Sequence, residues 1–574
     1  MNFLVSLILA ATVSAASSSL TIDLGYAAYT GVHNTTTGLN IWKGIRYAQP
    51  PIGSLRWQAP QPPTNISNPS SPILADHFGP ACPQSLPNVP GASSLFIPGN
   101  EDCLFLNVYA PSGNGTVVTD LPVLVWIHGG GYGEGDATQD LSAFLKATQK
   151  TPLIAVSIQY RLGAFGFLAS KEVHEKGELN AGLLDQRAAL RWMQLHIAKF
   201  GGDPSRATLA GESAGAGSIL LHAVSNSSEI LFSQIWIASP WIPTQPSFES
   251  SIAERHYSDF VTATGCANSS SKFDCLVAQN TTILQWASNW VSTNSPTVYG
   301  NWAFLPVTDD ELITGPPSQL LQKDIQGVNA LIGNNADEGV LLVPATIHTE
   351  ADLRAWLRSY FIQLTDDDID TVLTMYPSSN TTSPSFETDG RHSPTANDVS
   401  SAATGQQQRG YNIYAEASVI CPSYWLGDAF SRGNRTAYHY QYSVPFAAHG
   451  ADLTAYWGPA TANQGPEFVQ AFREIIASFV ATEKPLVSTS VLNSTVITGW
   501  PQWKSFNGNH TLFNLNQTGG TPYTTRSPTG VGTVVQYAGP GQQNQFSVED
   551  ADNWEGGRGA RCTFWQTIGQ KVPE

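Results

Sequence analysis

Apolar residues gather in two kinds of run along this chain. Residues 122–127 (PVLVWI) and 153–160 (LIAVSIQY) are almost continuously apolar, as central strands covered on both faces are. Residues 104–109 (LFLNVY) read as a third strand. Residues 183–200 switch to the helical period. Ala189, Met193, Ile197 and Phe200 fall on one face, and Arg187, Arg191 and Lys199 can reach solvent. Gly201-Gly202 stops that helix. RATLA at 206–210 reads as a short buried strand. AGAGSILLHAV, over Ala214–Val224, reads as a helix with small residues where it meets a sheet. Strands alternating with helices predict an α/β fold with a large, mostly parallel central sheet and helices on both faces.

Beyond this block, 329–333 (NALIG) and 437–444 (AYHYQYSV) read as buried strands. Residues 21–60 begin strand-like and run into Pro/Gly turns that exclude helix. The Ser/Thr/Pro-rich stretch 377–408 reads as a long loop. The last sixty residues are rich in Gly, Thr and Gln until the apolar ARCTFWQTI. No internal repeat is visible. After an N-terminal segment of different character, residues 17–574 are expected to form one domain, a single sheet carrying long insertions.

That N-terminal segment, MNFLVSLILAATVSA, is too short to span a membrane and ends in small residues. It reads as a signal peptide over residues 1–16, cleaved after Ala15 or Ala16. No later run of about 18 apolar residues occurs, so a stable membrane span is not expected and secretion is. Eleven N-x-S/T sequons agree with export, at Asn34, Asn65, Asn114, Asn226, Asn268, Asn280, Asn380, Asn434, Asn493, Asn509 and Asn516. N-glycans there would supply surface polarity that a 13 % content of charged residues does not. A net charge of −17 argues against nucleic acid and anionic membrane as partners. Six cysteines in an oxidising compartment suggest disulfides, with fifteen possible pairings. Neither C-x-x-C nor H-x-x-x-H spacing supports zinc, and no metal or cofactor is expected.

The candidate chemistry centres on Gly211-Glu-Ser213-Ala-Gly215, a G-x-S-x-G between the predicted strand and the helix. A serine at the tip of so sharp a turn takes strained angles, and glycine fits two residues away on either side. Alone the motif is weak, with about 0.2 matches expected by chance in a chain of this length. It needs an oxyanion hole, an acid and a base. Trp126-Ile-His-Gly-Gly-Gly-Tyr132 offers three glycines directly after a buried strand, whose N–H groups can point inward with the Ala214 amide. No Gly-Lys-Ser/Thr follows to make it a phosphate loop. The acid should follow a later strand. Glu338 and Asp337, after NALIGNNA, are equally placed by position. The base should come later still. Among His348, His392, His439, His449 and His510, His449 follows a strand and begins a loop, whereas His439 lies inside a strand as a packed residue would.

With these residues assembled, the chain resembles the type-B carboxylesterase group of α/β-hydrolases, which includes cholinesterases and fungal lipases of the Candida and Geotrichum type. The resemblance runs through GIRYAQPPIGSLRW, EDCLFLNV at 101–108, DQRAAL at 185–190, FGGDPSRATLAGESAG and the terminal RCTFWQ. It implies Ser213 as nucleophile, Glu338 as acid and His449 as base of an acyl-transfer triad, with Gly130, Gly131 and Ala214 as oxyanion donors. It favours Glu338 over Asp337 because the glutamate stands directly before Gly339. It implies the pairs Cys82–Cys103, Cys266–Cys275 and Cys421–Cys562, and it sets Glu212 and Ser239 beside the catalytic groups. Ala238-Ser239-Pro240 departs from the usual sequence at that turn.

Further departures bear on substrate. No tryptophan lies between Cys82 and Cys103 to hold a choline cation. That loop has only twenty residues, with Leu95, Phe96 and Ile97 placed to lie over the pocket, against a considerably longer lid in the large lipases. The expectation is a soluble-ester carboxylesterase ahead of a triacylglycerol lipase. A non-catalytic binding module is disfavoured because all three triad positions are filled.

Overall fold

The computed structural model of the protein describes residues 20–66, 71–113, 116–294, 298–378, 403–486, 500–504, 510–526 and 533–572. Its centre is one large mixed sheet. The strands are β1 (Val32–Asn34), β2 (Leu39–Arg46), β3 (Phe105–Gly113), β4 (Leu121–Ile127), β5 (Ile154–Ile158), β6 (Gly202–Glu212), β7 (Gln234–Ala238), β8 (Asn329–Asn335), β9 (Thr436–Tyr442), β10 (Thr511–Arg526) and β11 (Thr533–Asp550). They stand in the order β11-β10-β9-β8-β7-β6-β4-β5-β3-β2-β1. From β10 through to β5 every pairing is parallel. The pairings that carry the sheet outward at each edge, β10 with β11 and β5 with β3, are antiparallel.

Alternation along the central strands divides the core in two. Val123, Val125, Ile127, Ile235, Ile237 and Ile332 face one way. There they meet α1 (Ala181–His196) and α2 (Ala214–Val224), along with α3 (Thr281–Asn294) and α4 (Gly405–Ala415) further out. Leu124, Trp126, Trp236, Leu331 and Tyr440 face the other way, onto α5 (Pro466–Thr482). The apolar runs are continuous because both faces of each strand are buried. The terminal helix α6 (Trp554–Thr567) is tied by Cys421–Cys562 to the helical segment after α4. Cys82–Cys103 and Cys266–Cys275 are also formed.

Three sequence expectations need correction. The helix at 183–200 begins at Ala181 and tightens to a 3₁₀ turn at Ile197–Phe200. Its Arg187 is buried rather than solvated, because the segment 225–229 folds over it and supplies Ser225, Ser227 and Glu229 as acceptors. The loop expected over 377–408 lies mainly outside the described residues (379–402), and its C-terminal end is already helical from Gly405. The Gly/Thr/Gln-rich C-terminal stretch forms β10 and β11, the two longest strands of the sheet. β10 is drawn into the sheet by pairing Phe513–Leu515 with Tyr440–Tyr442, and β11 pairs antiparallel with β10.

Among the described sequon asparagines, Asn65, Asn226, Asn268, Asn280 and Asn434 are exposed and Asn34 is half-buried. Asn516 is buried within β10. Asn114, Asn380, Asn493 and Asn509 lie outside the described residues, as does the expected signal segment. No helix of the described residues is long and apolar enough to cross a membrane.

Candidate active site

Ser213 stands at the turn from β6 into α2 with φ 57° and ψ −126°. A non-glycine residue held there stores roughly 1–3 kcal/mol. The surroundings dictate the strain. A Cβ at Gly211 would lie 2.7 Å from the Gly215 carbonyl carbon, and one at Gly215 would lie 2.1 Å from the Ile127 oxygen. The turn is thus wedged between β4 and its own helix. The Ser213 N–H donates to Ala238 O at 3.1 Å, and its carbonyl accepts from Gly217 N at 2.8 Å and Trp241 N at 3.2 Å. The hydroxyl has little choice but to face the cavity.

Glu338 and His449 follow the next two sheet positions beyond β7. The loops after β8 and β9 pair with each other: Ala336 N donates to Tyr442 O, and Asp337 N to Ala447 O at 2.8 Å. A single β-bridge, Asp337 to Ala448, registers them. Asp337 thereby holds the backbone pairing, and its neighbour Glu338 projects to the histidine. The Glu338 carboxylate is fully buried. Its Oε2 meets His449 Nδ1 at 2.5 Å, while Oε1 accepts from Ser239 Oγ at 2.6 Å and Asn335 N at 2.5 Å. His449 Nε2 meets Ser213 Oγ at 2.7 Å. Asn335 steadies the back of the group, since its Nδ2 donates to Ser239 Oγ and to Asp452 Oδ1, both at 3.1 Å.

Glu212 lies beside this line, with Oε1 3.5 Å from His449 Nε2 and, among the described residues, no hydrogen-bond partner for that oxygen. Burial raises its carboxyl to about 8, and burial likewise raises Asp452 to about 6. Burial alone would lower His449, but the carboxylates of Glu338 and Glu212 outweigh it and bring the imidazole up to about 9. The direction follows from geometry: each member of the Glu212–His449 pair favours the charged form of the other.

The glycine loop after β4 runs alongside. Gly130 and Gly131 have φ of 101° and 61°. A Cβ on Gly129 would come within 2.9 Å of Ser213 Cβ, so this backbone passes as near the serine as a chain can. The amides of Gly130, Gly131 and Ala214 donate to no backbone carbonyl among the described residues. They are available to a substrate oxygen. Ser213, His449, Glu212, Gly130 and Gly131 line a cavity of about 650 Å³ that also includes Trp126, Trp241, Trp302 and Trp457. A hydroxyl on an imidazole, an imidazole on a buried carboxylate, and free amides nearby are the parts that acyl transfer to serine requires. Among the described residues no cluster of three His, Cys, Asp or Glu is arranged for a metal ion.

Residues 20–528 match the sequence model of the Carboxylesterase family. The chain belongs to that family. The esterase is 34 % identical to Lipase 5 of Diutina rugosa over 389 residues, covering 62 % of this chain and 70 % of the relative. It is 29 % identical to Carboxylesterase patB of Penicillium expansum over 527 residues, covering 81 % and 88 %. In structure it resembles Aspergillus niger EstA, with a TM-score of 0.75 and 27 % identity over 97 % of this chain and 99 % of the other. The esterase has the α/β-hydrolase fold and is a carboxylic ester hydrolase.

Of the other histidines, His439 is fully buried and pairs with Ser423, and His510 is bound between Asp428 and Asp552. His348 heads an exposed helix cap, and His392 lies outside the described residues. One expectation about the esterase fails. Leu95, Phe96 and Ile97 do not line the catalytic cavity. Gln285 and Asn289 of α3 hydrogen-bond the carbonyls of Ile97 and Leu95 and strap that segment outward. The loop reaches the site through Ser85, whose carbonyl accepts from Trp302 Nε1 at 2.9 Å. Trp302 went unread in the sequence, where no local pattern marks it. Asn335 does carry a signal, as a polar residue ending a buried strand just ahead of the acid pair.

Proposed function

We propose that the esterase is a secreted, N-glycosylated serine carboxylesterase acting on small-molecule esters, its mature chain 17–574 folding as one unit after signal removal. The observation that carries this reading is the unbroken line from Ser213 Oγ through His449 to Glu338 Oε2, with links of 2.7 and 2.5 Å at a strained turn. Ser213 attacks the ester carbonyl as His449 takes its proton. Gly130, Gly131 and Ala214 amides hold the oxyanion, and Glu338 keeps the imidazole oriented and stabilises its charge. His449 then protonates the leaving alcohol, and water repeats the sequence on the acyl-enzyme. Ser239 acts on Glu338, and Glu212 on His449.

Ser213→Ala is expected to lower kcat by about 10⁴–10⁶-fold; a folded variant hydrolysing p-nitrophenyl butyrate at the wild-type rate would end the proposal. Glu338→Gln should lose far more than Asp337→Asn, since the glutamate hydrogen-bonds the base. A second reading, triacylglycerol lipase, is favoured by exposed apolar side chains on the Cys82–Cys103 loop. A rate jump on micellised triolein above its solubility limit would select it.

A further inference from the structure

The esterase has two stretches without a single Asp, Glu, Lys, Arg or His, residues 78–100 and 275–308, 57 residues where the chain's 13 % frequency of charged residues would put about seven. The fold brings them together. The Cys82–Cys103 loop lies along α3, joined through Gln285 Nε2 to Ile97 O, Asn289 Nδ2 to Leu95 O and Leu86 N to Asn289 Oδ1. α3 buries Leu284, Ala287 and Val291, and turns Trp286 and Trp290, one helical turn apart, outward at 53 % and 39 % exposure. Ile283 continues the same exposed face, and Leu95, Phe96 and Ile97 stand exposed on the adjoining loop. Exposed apolar groups this concentrated mark a docking surface. The second stretch supplies Trp302 to the wall of the catalytic cavity, and the first supplies the Ser85 carbonyl that accepts its indole N–H.

We propose that this face, Trp286 and Trp290 with Leu95, Phe96 and Ile97, docks the esterase on a neutral lipid–water interface and sets its catalytic mouth beside it. Tryptophan is suited to the boundary, with an apolar ring and one N–H for water. Charge decides the kind of surface. A protein of net charge −17 with no cation on the docking face is repelled by an anionic bilayer and indifferent to a neutral one. Docking uses no group of the triad, so it persists without catalysis.

The test uses the full-length secreted protein carrying Ser213→Ala, mixed with triolein emulsion coated with phosphatidylcholine or with phosphatidylglycerol, and recovered by flotation. Adsorption to the neutral emulsion that is little changed between about 0.05 and 1 M salt is expected, with much weaker adsorption to the anionic one. Trp286→Ser/Trp290→Ser should weaken neutral adsorption at least roughly tenfold. In the otherwise native enzyme the same pair should leave kcat/KM for dissolved p-nitrophenyl acetate unchanged, which also reports that it folds. Phe96→Ser/Ile97→Ser serves as a second variant should the first not fold. Absence of wild-type adsorption, adsorption unaffected by both variants, or preference for the anionic surface would overturn the proposal. So would a dimer in sedimentation that the tryptophan pair dissolves, because a second copy of the chain would then be what covers the face.

Discussion

Replacing Glu212 by Gln removes a charge and keeps the shape, so it isolates what the carboxylate does for His449. The two groups lie 3.5 Å apart, Glu212 buried and His449 partly buried. At an effective dielectric of about 20, unit charges at that distance attract by about 5 kcal/mol. Much of this is offset by the cost of ionising Glu212 in a site that raises its own pKa to about 8. A net loss of about 1.4–2.8 kcal/mol from the transition state, where His449 is cationic, corresponds to about 10- to 100-fold in kcat/KM. The sign in pH is opposite to that of a simple loss. Glu338 and Glu212 together raise His449 to about 9, and the base works only when neutral, above its pKa. With Gln at 212 the imidazole pKa falls, and the rising limb of the kcat/KM profile moves to lower pH. Wild type and variant should therefore differ most at high pH and converge, or cross, toward pH 6. Hydrolysis of tributyrin below saturation, followed by pH-stat from about pH 6 to 10, reads both effects. An unmoved limb with an unchanged plateau would refute the reasoning. A lowered plateau with no shift would reduce Glu212 to a packing role.

Two other outcomes follow from contacts away from the proton path. Hydrogen bonds from Arg191 and Arg187 hold the Glu229 carboxyl down at about 2. The carboxylate is partly exposed, so the pair itself is screened. Glu229→Gln, however, leaves the buried Arg187 without a counter-ion and should cost about 1–3 kcal/mol in urea unfolding at pH 7. A depressed carboxyl stabilises above its unfolded pKa of about 4.3, so the difference should fade as pH drops from there toward 2; a difference constant with pH would contradict this. Trp302 stands between the catalytic cavity and a second cavity of about 270 Å³ lined by Phe167, Phe304, Leu305 and Tyr360. Trp302→Ala should join them and raise the p-nitrophenyl laurate to butyrate ratio at least roughly tenfold, and an unaltered ratio would show that the ring is no partition.

Legibility of the sequence tracked the range of the forces involved. Strands β4 and β5 were readable because burial on both faces leaves no polar position to blur them. The Ser213 turn was readable because its glycines answer to clashes within a few residues. Glu338 and Asp337 could not be separated by position, since what separates them is a bridge to Ala448, more than a hundred residues away. Arg187 was misread for a similar reason: nothing in the helical period announces that 225–229 will cover it. Strands β10 and β11 lack the apolar density of central strands, and they take their conformation from the open edge of β9 and from each other.

The pairing of those two loops also bears on how activity is acquired. Ser213 and His449 are 236 residues apart in the chain, and His449 and Glu338 are 111 apart. Closing such separations is entropically slow and comes after local helices and adjacent strands have formed. Hydrolysis is therefore a late reporter of refolding. Ellipticity and tryptophan burial should recover while turnover is still absent, and the lag between them times the docking of β9 onto β8.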